Sequence, residues 1–369
     1  MGKKIIIIPD SFKGSMSSEC VTNILSNSAK NAGFETEGTF IADGGEGTVD
    51  CILNILGGKK ESLTVKGPAG NEIVASYGIT SAGEAVIEIA ESSGITKQET
   101  LHPMTAGTYG FGQLILDALN KGVRKFLLGL GGSASTDCGM GMAAALGVHF
   151  YDRKGEEFLP CGERMKELER VDVSGLDPRI KESSFTVLSD VTNPLSGPLG
   201  ASYIFAPQKG ADEQQVKILD AGLENAAKCI SAATGIAPDS VKGAGAAGGS
   251  GYGCAAFLNA KMESGIEVIL NLFDFDKKIR DCYMVVTGEG SLDAQSLMGK
   301  VLCGIKRHAG DTPVVSFCGI CSLDTEILKK ENVTAVEIGK GIPLEESVKN
   351  GEKYLKEAAD VYFKRASVV

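Results

Sequence analysis

Histidine is almost absent: the 369 residues hold three, His102, His149 and His308, and they form no metal-ligand spacing. Histidine-built metal centres are therefore not expected. No apolar run approaches the ~18 residues from which a membrane-crossing helix is read. A secretory leader is not expected either, because Lys3 and Lys4 precede only four isoleucines before Pro9 and Asp10. Ile6 stands where a myristoylation signal needs a hydroxyl. Together these absences make the cytoplasm the expected location. Lysines and arginines number 37 against 47 acidic residues, a net charge of −10, and they form no basic stripe. Nucleic acid is therefore not an expected partner. An anionic small molecule stays compatible, since single lysines and glycine amides can build a positive pocket in an acidic protein. Prolines are sparse, 11 against 48 glycines, and the glycines follow no short period. Collagen-like and linker-like chains are thereby excluded, and the glycines fall in tight loops between apolar segments.

The remaining composition, 43% hydrophobic and 23% charged, is that of a globular chain long enough for about two domains. Ten cysteines lie mostly inside apolar segments, as at Cys51, Cys229 and Cys303, which is the usage of buried reduced thiols. Cys318-Gly319-Ile320-Cys321 is a lone C-x-x-C without the second pair or nearby histidine that a zinc site needs.

The chain is organised around Ile5-Ile6-Ile7-Ile8-Pro9-Asp10-Ser11-Phe12-Lys13-Gly14-Ser15. Four isoleucines without alternation must be buried on both faces, as in a central strand of a parallel sheet. Pro9 ends the strand, because proline cannot donate to the ladder. A polar crest follows at the strand's carboxyl end, where ligands of open α/β sheets collect. The pattern then predicts a helix over 17–32, a strand over 36–42 ending in Asp43-Gly44-Gly45-Glu46-Gly47-Thr48, and a helix over 49–56. Residues 62–91 change character, with short β-like runs broken by turns.

A helix is expected over 108–119 and a buried strand over 126–130. That strand leads into Gly131-Gly132-Ser133-Ala134-Ser135-Thr136-Asp137 and a small-residue helix over 139–146. Another strand, 185–189, ends at Asp190-Val191-Thr192-Asn193-Pro194; an amphipathic segment covers 216–232, and the densest glycine run is 243–253. From residue 283 the alternation returns: a strand over 283–286, the crest Thr287-Gly288-Glu289-Gly290-Ser291-Leu292-Asp293, strands over 314–317 and 335–338, and a closing helix over 348–364. The expected fold is α/β. A Rossmann-like doubly wound domain is formed by 1–62 and 262–369, a mixed α/β domain of 63–261 is inserted, and the active site lies in the cleft between them.

Five strand ends thus carry glycine, hydroxyl and carboxylate groups, at Asp10, Asp43, Gly131, Asp190 and Gly288. Glycine lets backbone amides reach a phosphate, and a helix N-terminus behind it adds a favourable field. Carboxylates there can hold Mg²⁺ or take a proton from a substrate hydroxyl, and Lys13 and Lys300 can neutralise a transferring phosphoryl group. For Glu46 and Asp137 helix capping is the competing role, and for Ser133 and Ser135 a satisfied turn. Gly243-Ala244-Gly245-Ala246-Ala247-Gly248 fits G-x-G-x-x-G, but no convincing strand precedes it. A nucleotide lid or a close backbone approach is expected there instead of a dinucleotide fingerprint. Gly299-Lys300 is not a Walker A ending, since Val301 replaces Ser/Thr and Ala294 the first glycine.

Pro9-Asp10-Ser11-Phe12-Lys13-Gly14-Ser15 and Ala42-Asp43-Gly44-Gly45-Glu46-Gly47-Thr48 resemble the opening signatures of bacterial two-domain glycerate kinases. The resemblance continues in order through Gly131-Gly132-Ser133-Ala134, Asp190-Val191-Thr192-Asn193-Pro194-Leu195, Pro207-Gln208-Lys209-Gly210-Ala211, the run 243–249, and Gly288-Glu289-Gly290 with Asp293, Gln295 and Gly299-Lys300. Two departures stand out. Ser135-Thr136-Asp137 replaces a threonine-asparagine-aspartate triplet, and Ser291-Leu292 an arginine-isoleucine pair.

The resemblance implies ATP-dependent phosphorylation of D-glycerate with Mg²⁺, yielding 2-phosphoglycerate. On it, Asp190, Lys13 and Asp43 are the expected catalytic residues, with Asp190 as base. Asp10, Ser11, Lys13, Asp43, Gly44, Gly45, Glu46 and Asn193 are expected at the substrate, with Asp43 and Glu46 also candidates for Mg²⁺. Gly131, Gly132, Ser133, Gly245, Gly248, Gly249 and Lys300 are expected at phosphate or nucleotide, and Glu289, Asp293 and Asp190 at the metal. The alternatives kept open are 3-phosphoglycerate as product, a nicotinamide-dependent hydroxyacid dehydrogenase, and a non-catalytic small-acid sensor. A homodimer is among the oligomeric states the sequence leaves open.

Overall fold

A computed structural model describes residues 3–12, 14–42, 44–293, 296 and 301–368. Its strands, in chain order, are β1 (Lys4–Ile7), β2 (Glu35–Gly38), β3 (Gly58–Lys66), β4 (Glu72–Thr80), β5 (Ala85–Glu88), β6 (Lys125–Gly129), β7 (His149–Asp152), β8 (Leu168–Asp172), β9 (Ser184–Leu188), β10 (Lys261–Glu263), β11 (Met284–Leu292), β12 (Val314–Cys321) and β13 (Val333–Glu337). They divide between two compact units, one formed by residues 1–42 with 266–369 and the other by 43–265.

The first unit is built on a five-stranded parallel sheet in the order β13-β12-β11-β1-β2. Ile5, Ile6, Ile7 and Ile8 are all fully buried, so both faces of β1 are covered. Each such side chain contributes roughly 1.5–3 kcal/mol on burial. Ile5 and Ile7 pack with Val21, Leu25 and Ala29 of helix Ser18–Asn31 and with Leu355, Ala359 and Phe363 of helix Gly351–Ala366. Ser17 caps the first of these helices by accepting the Cys20 amide. Gly304 of helix Val301–Ala309 lies against Ile266 of helix Gly265–Leu272 so closely that an added Cβ would overlap it.

His308 ties that helix to two neighbours. Its Nε2 lies 2.8 Å from Glu267 Oε2, and its Nδ1 lies 2.6 Å from Asp276 Oδ1. Burial alone would lower the imidazole pKa, but hydrogen bonds to Glu267 and Asp276 outweigh it and raise the value above the ordinary one. The protonated ring therefore stabilises the fold below the unfolded histidine pKa, and that contribution fades as pH rises through the raised folded value. His308→Gln should flatten this loss. Thermal unfolding across pH 6–9 checks it, and an unchanged profile in the variant would contradict the assignment.

The second unit holds a six-stranded mixed sheet, β10-β9-β6-β5-β4-β3, in which β5, β6, β9 and β10 run parallel and β3 and β4 are antiparallel additions. Phe111, Leu114, Ile115 and Ala118 of helix Tyr109–Asn120 pack with Ile87, Phe126, Leu128, Phe185 and Val187 from the sheet. A second cluster gathers Phe150 and Val171 of the β7–β8 ribbon with Leu219, Leu223 and Ile230 of helix Glu213–Thr234.

Several expectations shift. Helix Thr48–Leu56 belongs to the second unit, not the first, because Val49 and Leu53 press on Gly78 of β4. The first boundary therefore falls at residue 42 instead of 62, and the return at 266 instead of 262. The segment 287–292 continues β11 and pairs with β12 as far as Leu292 opposite Cys321, so this crest is largely strand. The closing helix is broken at Asn350, between Leu344–Lys349 and Gly351–Ala366. Among the described residues no helix is long and apolar enough to cross a membrane.

Candidate active site

In the second unit three of the expected crests meet at the carboxyl ends of β6 and β9. The Gly131 amide donates to the Gly44 carbonyl over 2.8 Å. A Cβ at Gly44, whose φ is +86°, would overlap the Leu188 carbonyl; one at Gly129 would stand 2.6 Å from Gly44 O, and one at Gly131 2.5 Å from Gly45 Cα. Glycine is needed here so that backbone can lie against backbone. Asp190 opens the loop immediately after β9 and is exposed. Asn193 is committed to its own loop: its side-chain amide donates to Leu199 O over 2.8 Å, and its carbonyl accepts the Gly245 amide over 3.0 Å.

Gly132, at φ +77°, is exposed and precedes Ser133. The Gly132 carbonyl accepts the Ile95 amide and the Ala134 amide donates to Ser93 O, fixing the loop's back. Ser133 Oγ lies 3.0 Å from Ser135 Oγ, as expected of satisfied turn hydroxyls. A left-handed glycine in such a loop fans successive amides into an anion-binding concavity.

The two helix N-termini behind these loops are filled by the protein's own carboxylates. Asp137, fully buried, accepts from the Thr108 amide and hydroxyl (2.8 and 2.7 Å) and from the Gly139 and Gly141 amides (3.1 and 3.2 Å) at the start of helix Met140–Ala145. Burial raises its pKa despite these donors. Its role is capping. Glu46 is not a cap; its Oε1 lies 3.3 Å from Thr96 Oγ1. The start of helix Thr48–Leu56 is capped instead by Glu88, the last residue of β5. Glu88 is absent from the expected set, although a single carboxylate ending the apolar run Ala85-Val86-Ile87 was the available signal.

The 243–249 run is buried between two loops. A Cβ at Gly245 would overlap Pro194 O, one at Gly248 would overlap Ser135 O, and one at Gly249 would stand 2.9 Å from Leu195 Cδ1 and 3.0 Å from Cys138 Cα. Close backbone approach accounts for these glycines. Ala247, Gly248 and Gly249 adopt left-handed angles and interrupt the helix Ala246–Leu258. Ser135 O also accepts from the Lys209 ammonium at 2.5 Å.

Lys209 is 3% exposed, and burial pushes its pKa down to about 8, with the Asp137 carboxylate opposing. A lysine charged inside the fold costs stability below about 8, and the cost is relieved as pH rises towards its unfolded pKa near ~10.4. Lys209→Met should remove that pH-dependent gain. Urea unfolding at pH 7.5 and 10 measures it, and equal gains in both proteins would contradict it.

In the first unit, β1 and β11 bring two more crests side by side. The Asp10 amide donates to Gly288 O (2.8 Å), Asp10 Oδ1 accepts the Ser11 amide (2.6 Å), and the Phe12 ring lies against Gly288. Ser296 links the acidic pair: its hydroxyl donates to Glu289 Oε2 (2.7 Å), and its amide to Asp293 Oδ1 (3.3 Å). Cys318, with Cys321 on the same strand, is opposite Glu289 in the ladder. Among the described residues no three histidine, cysteine or acidic side chains are grouped to hold a metal. Lys13, Asp43, Gln295, Gly299 and Lys300 lie outside the described residues.

The family model of the glycerate kinase family matches residues 5–366. The chain belongs to the glycerate kinase family. A glycerate kinase of Halalkalibacterium halodurans is 38% identical over 366 residues, 96% of each chain. The glycerate 2-kinase of Escherichia coli K12 is 39% identical over 340 residues, covering 90% of this chain and 89% of that protein. A crystal structure of a Salmonella typhimurium LT2 protein assigned as glycerate kinase 2 superposes with a TM-score of 0.85 at 32% identity, covering 100% of this chain and 99% of the other. Membership in the glycerate kinase family makes the protein a kinase and implies ATP as phosphate donor. The turn at Gly132, exposed and left-handed, with the buried Ser133 behind it, suits a phosphate. Two carboxylates sharing one serine suit Mg²⁺, which takes one or two carboxylates and completes its shell with water and phosphate oxygens.

Proposed function

We propose that this glycerate kinase transfers the γ-phosphoryl group of ATP to the 2-hydroxyl of D-glycerate. The observation that supports the reading is the meeting of the 44–45, 129–131 and 188 backbone at the carboxyl ends of β6 and β9, with Glu46 next to Gly132 and Asp190 two residues beyond Leu188. Similarity over 90% of the chain to an enzyme named glycerate 2-kinase supports the choice of hydroxyl.

In this reading Asp190 takes the proton from the attacking hydroxyl, which needs a carboxylate within reach of that one atom. Glu46 and the Gly44 and Gly45 backbone orient the glycerate hydroxyls, with Asp43, Asp10 and Ser11 as further substrate contacts. The amides of Gly132 and Ser133 hold phosphate oxygens; Lys13 and Lys300 supply cationic charge to the acid and the transferring group. Mg²⁺, held through Glu289 and Asp293, supplies neutralisation of phosphate charge when bound. The parallel sheet of the first unit is read as Rossmann-like. The protein acts in the cytoplasm on small molecules.

ATP consumption with D-glycerate, L-glycerate and no acid tests the reading, with NAD absorbance as control. Turnover with D-glycerate alone supports it. Nicotinamide reduction, or glycerate binding without turnover, would replace it with the dehydrogenase or sensor alternative.

A further inference from the structure

The segment between Gly44 and Gly47 has three glycines in four residues, so it cannot hold its own shape through side-chain packing. Gly45 O accepts the Thr48 hydroxyl at 2.7 Å and Glu46 Oε1 lies 3.3 Å from Thr96 Oγ1, and the backbone of the segment's two ends is fastened by other strands. Gly44 O accepts the Gly131 amide at 2.8 Å. At the other end Glu88 Oε1 accepts the Val49 amide at 2.6 Å and Oε2 accepts the Gly47 amide at 3.3 Å. Only Gly45 and Glu46 lie between these ties, and both are placed at the substrate in the proposed function. Glu88 is 4% exposed and takes no part in the chemistry as described.

We infer that Glu88 is a positioning residue for phosphoryl transfer, setting where Glu46 and the Gly45 backbone stand by receiving both amides at the start of helix Thr48–Leu56. The inference rests on the reading that places glycerate against residues 44–46. An ionised carboxylate can accept from both amides, whereas a protonated one keeps a single acceptor oxygen on its carbonyl side and presents a hydroxyl donor on the other.

Burial pushes the Glu88 pKa up to about 7, with Glu91 and Asp50 adding to the rise and the two amides opposing it. The charged groups around it line a cavity of about 580 Å³: Glu46, Asp50 and Glu91 with Lys60 and Lys97. Lys60 pairs with Asp50 at 2.7 Å and Lys97 with Glu91 at 3.6 Å, so neither lysine is matched to Glu88. Glu88 therefore holds both amides above neutral pH and one below it, while the Gly44 tie is unchanged.

Hydrogen exchange read on peptides spanning residues 44–50, corrected for intrinsic rates, tests the tie directly at pH 6.0 and 8.0. In the wild-type protein, protection should be about tenfold greater at the higher pH, the expected effect of one hydrogen bond to a charged group. Glu88→Gln should show the weaker protection at both pH values, and Glu88→Asp, which keeps the charge, should restore the pH dependence. The kinetic counterpart is a KM for D-glycerate raised about tenfold in E88Q, with kcat changed far less. The acidic limb of kcat/KM near pH 7 should also be lost. Wild-type protection that does not change with pH would overturn the inference whether or not E88Q folds. So would E88Q exchange matching the wild type. Absence of glycerate phosphorylation by the wild type would instead overturn the proposed function, and the exchange result would still decide the role of Glu88.

Discussion

Asp190→Asn is expected to lower kcat by roughly 10²–10⁴-fold, the usual contribution of a positioned general base, while KM for D-glycerate moves by less than about threefold. The side chains are nearly the same size, so the change removes the charge and proton acceptance with little change of shape. Asp190 is exposed at the carboxyl end of a parallel strand, one residue past Ser189, whose amide is held by Glu263 O at 3.0 Å. Its backbone is thus set by the sheet and the residue is exposed, as a base must be to meet a small substrate. Steady-state kinetics across pH 6–9 measure both quantities. Turnover within about threefold of wild type would move the base elsewhere among the crests.

Gly248→Ala is expected to damage the stability of the second unit severely. The new Cβ would overlap the Ser135 carbonyl and stand 2.7 Å from Thr136 Cα, with φ at +66°. Left-handed backbone costs an alanine roughly 1–2 kcal/mol, and forced overpacking adds roughly 1–3 kcal/mol. The neighbour cannot simply retreat, because the same carbonyl is held by the buried Lys209 ammonium. With a shift of about 2–4 °C per kcal/mol for a unit of this size, Tm should fall by about 5–15 °C. A calorimetric scan checks it. A fall below about 2 °C would mean that the 243–249 run is free to move, as a nucleotide lid would be. Gly14→Ala makes a useful contrast, since its Cβ would meet nothing within 4 Å and only its φ of +81° is penalised.

Much of this was legible in the chain. The four isoleucines announced a strand covered on both faces, and they are fully buried. The crests after β1, β6 and β9 were visible because glycine, hydroxyl and carboxylate cluster where an apolar run stops. Their partners were not visible. Glu88 stands forty residues from the loop it caps, and sequence spacing carries no information about a contact across two strands. Asp137 and Glu46 looked alike as cap candidates, yet Asp137 is enclosed by four donors while Glu46 is exposed. The glycine run at 243–249 was ambiguous for a related reason. A missing side chain admits either a phosphate or another stretch of backbone, and only the packing of Ser135, Cys138 and Pro194 against it distinguishes the two. The unit boundary was misplaced because helix Thr48–Leu56 follows a crest as a doubly wound helix would, whereas its apolar face is matched to β4.

The most direct measurement couples the purified protein, D-glycerate, ATP and Mg²⁺ to enolase and pyruvate kinase, with no phosphoglycerate mutase added. The account predicts immediate signal, because 2-phosphoglycerate enters enolase directly. Signal that appears only after the mutase is supplied would show attack by the 3-hydroxyl and contradict the assigned regiochemistry. No signal under either condition, with ATP unconsumed, would contradict the assignment of glycerate phosphorylation to this chain.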